Sequence, residues 1–120
     1  MDIEGYFNVH NEPVIRLDVG SSHIEVLVDT GFSGGLILPD QMAKKLDITY
    51  DRGLEEFSSV IGERFLASGC SMEISWLGRR IIVPVATSTQ VKEAILGGQM
   101  LKDCCLTIDY GRRTGTIKGS

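Results

Sequence analysis

An all-β chain, folded as one sandwich or barrel, is what this sequence predicts, and three observations carry the prediction. Apolar residues alternate with polar ones at period two through several short segments. Glycine is abundant, at 14 of 120 residues, against three prolines. Turn signals return about every ten residues, the spacing of short strands joined by tight turns.

Taken in chain order, Ile15, Leu17 and Val19 alternate with Arg16 and Asp18, then Ile24, Val26 and Val28 with His23 and Glu25, so two strands are expected to pair across Gly20-Ser21-Ser22. Leu36-Ile37-Leu38 is an apolar run. Pro39 to Leu46 places proline at a helix start and Met42 and Leu46 four apart, which predicts a two-turn helix. Met72, Ile74 and Trp76 alternate again. Ile81 to Val85 is a continuous apolar run in which Pro84 marks an edge or a bulge. Ser88 to Ala94 reads as an irregular connection, and Gly98 to Asp103 as one or two helical turns. Leu106, Ile108 and Tyr110 form a last alternating segment, after which the chain turns at 111–115 and continues through Thr116-Ile117-Lys118.

Composition narrows the function. A chain of 120 residues has room for one core, so residues 1–120 are read as a single domain. With 42% hydrophobic and 23% charged residues and a mean hydropathy of +0.07, it is neither a disordered tail nor a membrane span. Twelve basic residues against 16 acidic ones argue against nucleic acid as a partner. Three cysteines without a CxxC pair, and two histidines, predict neither a disulfide framework nor a metal or other cofactor. The acidic start, Met1 to His10, lacks the basic flank of a signal peptide, and no apolar run is long enough to cross a bilayer, so a cytoplasmic protein without membrane contact is expected. Cys70, Cys104 and Cys105 are read as small apolar fillers, Trp76 as core, and Arg79-Arg80 and Arg112-Arg113 as solvated turns. His10 and His23 lie in no motif that would pair them with a nucleophile.

The stretch that carries chemistry runs from Val26 to Pro39. A strand rich in apolar residues delivers one carboxylate, Asp29, into the loop Thr30-Gly31-Phe32-Ser33-Gly34-Gly35. An Asp at such a place commonly caps backbone amides of its own turn, so the tripeptide Asp-Thr-Gly is weak by itself. A second element lies 66 positions on, Ile95-Leu96-Gly97-Gly98, two apolar residues and a glycine leading into a short helix.

Together the two elements resemble the retropepsin-like aspartic proteases, in which an apolar-apolar-Asp-Thr-Gly loop crosses an apolar-apolar-Gly strand. The likeness extends over about a hundred residues: Pro13 to Leu17 resembles the first barrel strand, Asp29 to Leu46 the bacterial pattern of loop, strand and helix, and Ile95 to Tyr110 the closing strand, helix and strand. It implies a small closed β-barrel with one or two short helices, and an aspartic endopeptidase. Asp29 would be the catalytic carboxylate and Thr30 the hydroxyl that locks one loop to its partner. Gly31, Phe32 and Ser33 would complete the substrate-binding loop, and Ile95, Leu96 and Gly97 the frame beneath it. One chain supplies one carboxylate, so a homodimer with Asp29 from each copy is implied, acting on a peptide or unfolded protein.

Phe57 to Leu66 has apolar flanks and a polar tip, and by the same resemblance Val60, Ile61, Gly62 and Glu63 would form the flap over the cleft. Two departures stand out. Retroviral members place an aspartate where Ser33 stands and an arginine where Gly98 stands, and their chains stop after the closing strand, which joins the dimer sheet; this one continues. The rival reading is a fold of the same type that binds peptides without cleaving them.

Overall fold

The computed structural model describes residues 1–58, 62 and 64–119. The chain runs β1 (Ile3–Phe7), β2 (Pro13–Val19), β3 (Ser22–Val28), β4 (Leu36–Pro39), α1 (Asp40–Ala43), β5 (Thr49–Ser58), β6 (Arg64–Trp76) and β7 (Arg79–Ser88). It closes with β8 (Ile95–Leu96), a 3₁₀ turn (Gly98–Leu101), β9 (Cys104–Asp109) and β10 (Thr114–Gly119). Neighbouring strands follow the order β5-β6-β7-β4-β8-β3-β2-β1-β10-β9, and a further pairing at Asp18 and Ser75 joins β2 to β6. That contact closes β2, β3, β8, β4, β7 and β6 into a six-stranded barrel, so the predicted closed β-barrel is the fold. Closure removes the open edges these six strands would otherwise present.

Period-two patterning builds the core. Ile15, Leu17, Val19, Ile24, Val26, Met72, Ile74, Val83 and Val85 are buried inside the barrel, while Arg16, Asp18, His23, Glu25 and Glu73 on the same strands face water. Trp76 is buried with them, as expected. The β2–β3 turn comes down to Gly20 and Ser21, because Ser22 already pairs with Val19; Gly20, at φ +61°, takes the left-handed conformation such a turn needs. Pro84 lies in the stretch of β7 that has β6 on one side only, since pairing with β4 begins at Val85. It is at an edge there, where a missing N–H is harmless.

Several expectations need correction. The two-turn helix over Pro39 to Leu46 is a single turn, α1. Lys44 N–H donates to Asp40 O, but the next two bonds, Lys45 to Met42 and Leu46 to Ala43, have tightened to 3₁₀ type. A helix of eight residues recovers too few hydrogen bonds to offset nucleation, and only Ala43 of it is fully buried. Cys70 is the buried filler expected, whereas Cys104 is half-buried and Cys105 exposed. Alternation along β9 turns Cys104, Leu106 and Ile108 toward the body and leaves Cys105 and Thr107 outside. Tyr110 lies past the end of that strand, in the following turn, and is exposed. Arg79 and Arg80 open β7 and are exposed, Arg80 facing Glu73 at 3.2 Å.

Two strands carried no readable signal. In β1 the inward row Ile3, Gly5, Phe7 is interrupted by a glycine, which the packing demands: a Cβ at Gly5 would lie 2.5 Å from Val14 O. In β5 the six residues from Thr49 to Leu54 are all exposed, so no apolar alternation marks it. It exists because β6 extends beyond the barrel and pairs with it, through a register shift between Thr49 and Gly53, where Gly53 has φ +69°.

Candidate active site

Strand β3 ends at Val28 and hands Asp29 to the loop. Between β3 and β4 the loop opens a gap, and β8 fills it, parallel to β3 (Val28 opposite Leu96) and antiparallel to β4 (Leu36 opposite Leu96). Four backbone hydrogen bonds then clamp the loop to that insert: Asp29 N–H to Leu96 O at 2.9 Å, Gly97 N–H to Gly35 O at 2.7 Å, Gly98 N–H to Phe32 O at 2.8 Å and Gln99 N–H to Gly34 O at 3.1 Å. Within the loop, Phe32 N–H donates to Asp29 O at 3.1 Å, and Gly31 N–H donates to the Asp29 carboxylate oxygen Oδ1 at 2.9 Å.

Such close crossing leaves no room for a side chain at Gly97. A Cβ there would come about 2.5 Å from Phe32 O and 2.6 Å from the Phe32 ring. Gly34 is small for a related reason, since the same ring lies 2.6 Å from where its Cβ would stand. Gly34 in the loop and Gly97 in the crossing strand are therefore required by approach, not by turn conformation. At Gly98 a Cβ would be comfortably accommodated, 3.8 Å from Phe32 O, so its backbone N–H, not a lack of space, ties this point to the loop.

The structure brings the two sequence motifs together on one groove of 1050 Å³. Asp29, Gly31, Phe32, Ser33 and Ile95 all line it. Asp29 is half-buried; Thr30, Gly31 and Ser33 are exposed; Leu96 is fully buried beneath. The opposite wall comes from the β5–β6 hairpin. Phe57 and Phe65 pair across it with ring centroids 5.8 Å apart, and Phe57 lies 5.8 Å from the Phe32 ring, so aromatic contacts join the loop to the hairpin. Gly62, the one described residue of the expected flap tip, is exposed with φ +86°, a conformation that favours glycine. Val60, Ile61 and Glu63 lie outside the described residues.

Sequence reasoning missed the third wall, the connection Gln90 to Glu93, together with Lys102 beyond the 3₁₀ turn. Nothing in their residue types pointed there; they reach the groove only because β8 is threaded between β3 and β4. Neither His10 nor His23 is among the described residues that line the groove, and among the described residues no group of three or more His, Cys, Asp or Glu could hold a metal ion.

No protein-family model and no curated protein matches the chain. Solved structures do. A retropepsin-like aspartic protease from Rickettsia conorii superposes with a TM-score of 0.70 at 20% identity, over 99% of this chain and 91% of that one. The EIAV protease, in complex with the inhibitor HBY-793, superposes with a TM-score of 0.63 at 21% identity, over 81% of this chain and 91% of its own. At such identities what is shared is the path of the backbone, and over that path this chain has the retropepsin-like aspartic protease fold.

Proposed function

We propose that the chain is an aspartic endopeptidase, hydrolysing peptide bonds in peptides or unfolded proteins of the cytoplasm with water activated by two Asp29 carboxylates, one from each of two copies. The observation that carries this reading is the placing of Asp29: a half-buried carboxylate on the wall of a groove of 1050 Å³, its backbone held by the insert from β8. Two carboxylates about 3 Å apart cannot both ionise, so they hold one proton between them. The ionised one takes a proton from water as the oxygen attacks the scissile carbonyl. The other gives its proton to the carbonyl oxygen, and the tetrahedral intermediate collapses as the leaving amine is protonated. The exposed Thr30 beside Asp29 is suited to bonding across the axis, and the hairpin, with Gly62 at its tip, to excluding water.

The rival reading, a peptide-binding module, draws on the Gly31 N–H bond to Asp29 Oδ1, which a turn-forming aspartate would also make. One experiment separates them: digestion of an unfolded protein with and without a statine-type inhibitor, alongside Asp29→Asn. Inhibitor-sensitive cleavage that falls about 10³-fold or more in the variant, with its melting temperature unchanged, is the expected result. Cleavage at the wild-type rate by Asp29→Asn removes the assignment.

A further inference from the structure

A site that needs Asp29 from two copies fixes where the twofold axis must pass, and the pairing of the terminal strands then limits how the copies can meet. Both edges of β1 are occupied, by β2 and β10, and both edges of β10, by β1 and β9. All of these pairings are made within one chain. Neither terminal strand is left to be shared with a second chain unless bonds already formed are broken. The outer edge of β9 is open, but β9 stands four strand spacings from β3. At about 4.8 Å each, a dimer joined edge to edge at β9 would hold its two Asp29 residues on the order of 40 Å apart along the sheet. No carboxylate pair forms there.

The register points to a different surface. Strands β1, β3 and β9 end, and β2 and β10 begin, at the same end of the barrel. The turn 8–12 and the turn 110–113 therefore lie on the same side as the Asp29 loop. Those two turns are fastened into one platform. The Arg113 guanidinium donates to Asn11 Oδ1 and, at 3.0 Å, to Asn8 O, and it lies 5.4 Å over the Phe7 ring; Tyr110 meets that ring edge-on at 5.0 Å. Asn11 and Arg113 both hold positive φ, 64° and 58°, so the turns adopt a conformation that these contacts must maintain. Nevertheless the platform presents apolar groups to water, Val9 at 93% exposure and Tyr110 at 66%. A pre-ordered surface loses little entropy on docking.

We infer that a second copy of this chain docks on this platform, placing the two Asp29 loops at the twofold axis without exchange of terminal strands. The inference rests on the proposed function, because only a two-carboxylate site demands that axis. Its scale agrees. An ordinary interface covers about 800 Å² on each partner, a disc of radius about 16 Å. From β3 to β10 is three strand spacings, about 14 Å, so an interface of that size centred on Asp29 reaches the turn 110–113.

The test is sedimentation equilibrium together with specific activity across a dilution series, for wild type, Val9→Asp, Tyr110→Ser, Asp29→Asn and, as a control at the far end of the barrel, the exposed Ile82→Asp. Wild type is expected at twice 13.1 kDa, dissociating on dilution. Val9→Asp and Tyr110→Ser are expected to raise the dimer dissociation constant at least tenfold, with activity per chain falling in step and returning at high concentration; Ile82→Asp is expected to change neither. Val9 is almost wholly exposed in the single chain, so at dilutions where both proteins are monomeric its variant is expected to melt with the wild type. A wild type that is monomeric at all concentrations overturns the inference, as does a dimer that both platform variants leave intact. If wild type cleaves while the platform variants dimerise normally, the interface falls and the enzyme reading stands. If wild type dimerises through the platform and never cleaves, the reverse holds.

Discussion

Across the groove from each other, the Asp29 loop and the β5–β6 hairpin are held by different forces. Four backbone hydrogen bonds, two glycines forced by contact and the buried Leu96 hold the loop. Most of the hairpin stands in water. Thr49 to Leu54 are exposed, Arg64 and Glu56 form a surface pair at 3.2 Å, and Leu66 is exposed. Its attachment to the barrel is concentrated at the root, where the Arg52 guanidinium donates to Cys70 O and, at 3.1 Å, to Val85 O, and at Phe57 and Phe65 facing the groove. Exposed ion pairs add little, so the hairpin belongs to the part of the molecule that opens first. Under the proposed function a reacting carboxylate would need a fixed position and a cover would have to move to admit substrate, and the packing of the two regions suits those two tasks.

The largest effect that would break this contrast is expected at Gly97. Gly97→Ala drives a methyl group into the Phe32 backbone and ring, and a cost of about 3 kcal/mol is expected, roughly 10 °C in melting temperature, with loss of activity. A variant of wild-type stability would mean that the loop is as yielding as the hairpin. Arg52→Met, at the root, is expected to cost about 1 kcal/mol, since Cys70 O and Val85 O lose the donor that a partly exposed guanidinium supplies. Hydrogen exchange is the appropriate measurement: amides of β5 speed up several-fold while those of β3 and β8 hold their wild-type rates. Uniform acceleration everywhere would show hairpin and barrel opening as one unit.

A third measurement probes the junction of the two regions. Burial pushes the Cys70 thiol from 9.0 to about 11; Arg52 opposes the rise, and Asp51 and Glu55 add to it. The fold thus favours the neutral thiol, whose Sγ–H donates to Val85 O at 3.2 Å. Because the unfolded chain releases this proton first, the stabilisation is complete below pH 9 and is lost as pH rises toward about 11. Denaturation midpoints of wild type are expected to fall across that window more steeply than those of Cys70→Ala; parallel curves would remove the thiol from the balance. The smallest effect on melting temperature is expected at the tip. Gly62→Val forces a β-branched residue into φ +86°, costing about 1–2 kcal/mol locally, in a hairpin that can open without the barrel. Turnover is expected to fall severalfold with little change in melting temperature, and a large fall in melting temperature would assign Gly62 to the fold instead.

Period-two alternation in β2, β3 and β6 was legible because each buries one face against a common core, so burial wrote itself into residue type. The loop and its crossing strand were legible for a related reason: Gly34 and Gly97 leave no room for a side chain at their approach, and Leu96 before Gly97 is fully buried. Where burial is absent that signal disappears. β5 is a strand only because β6 offers it an edge, α1 stops after one turn because only Ala43 of it is fully buried, and Cys105 faces water because of its place in the β9 alternation. The groove's third wall at 90–93, and the fastening of turn 8–12 to turn 110–113 through Arg113, join residues far apart in the chain. By itself the sequence determined the strand faces, the barrel class and the two motifs, since each depends on local pattern and unavoidable contact. Only the tertiary structure decided which distant segments meet around Asp29 and that the terminal strands are paired within the chain, because those pairings are made by backbone groups that every residue carries alike.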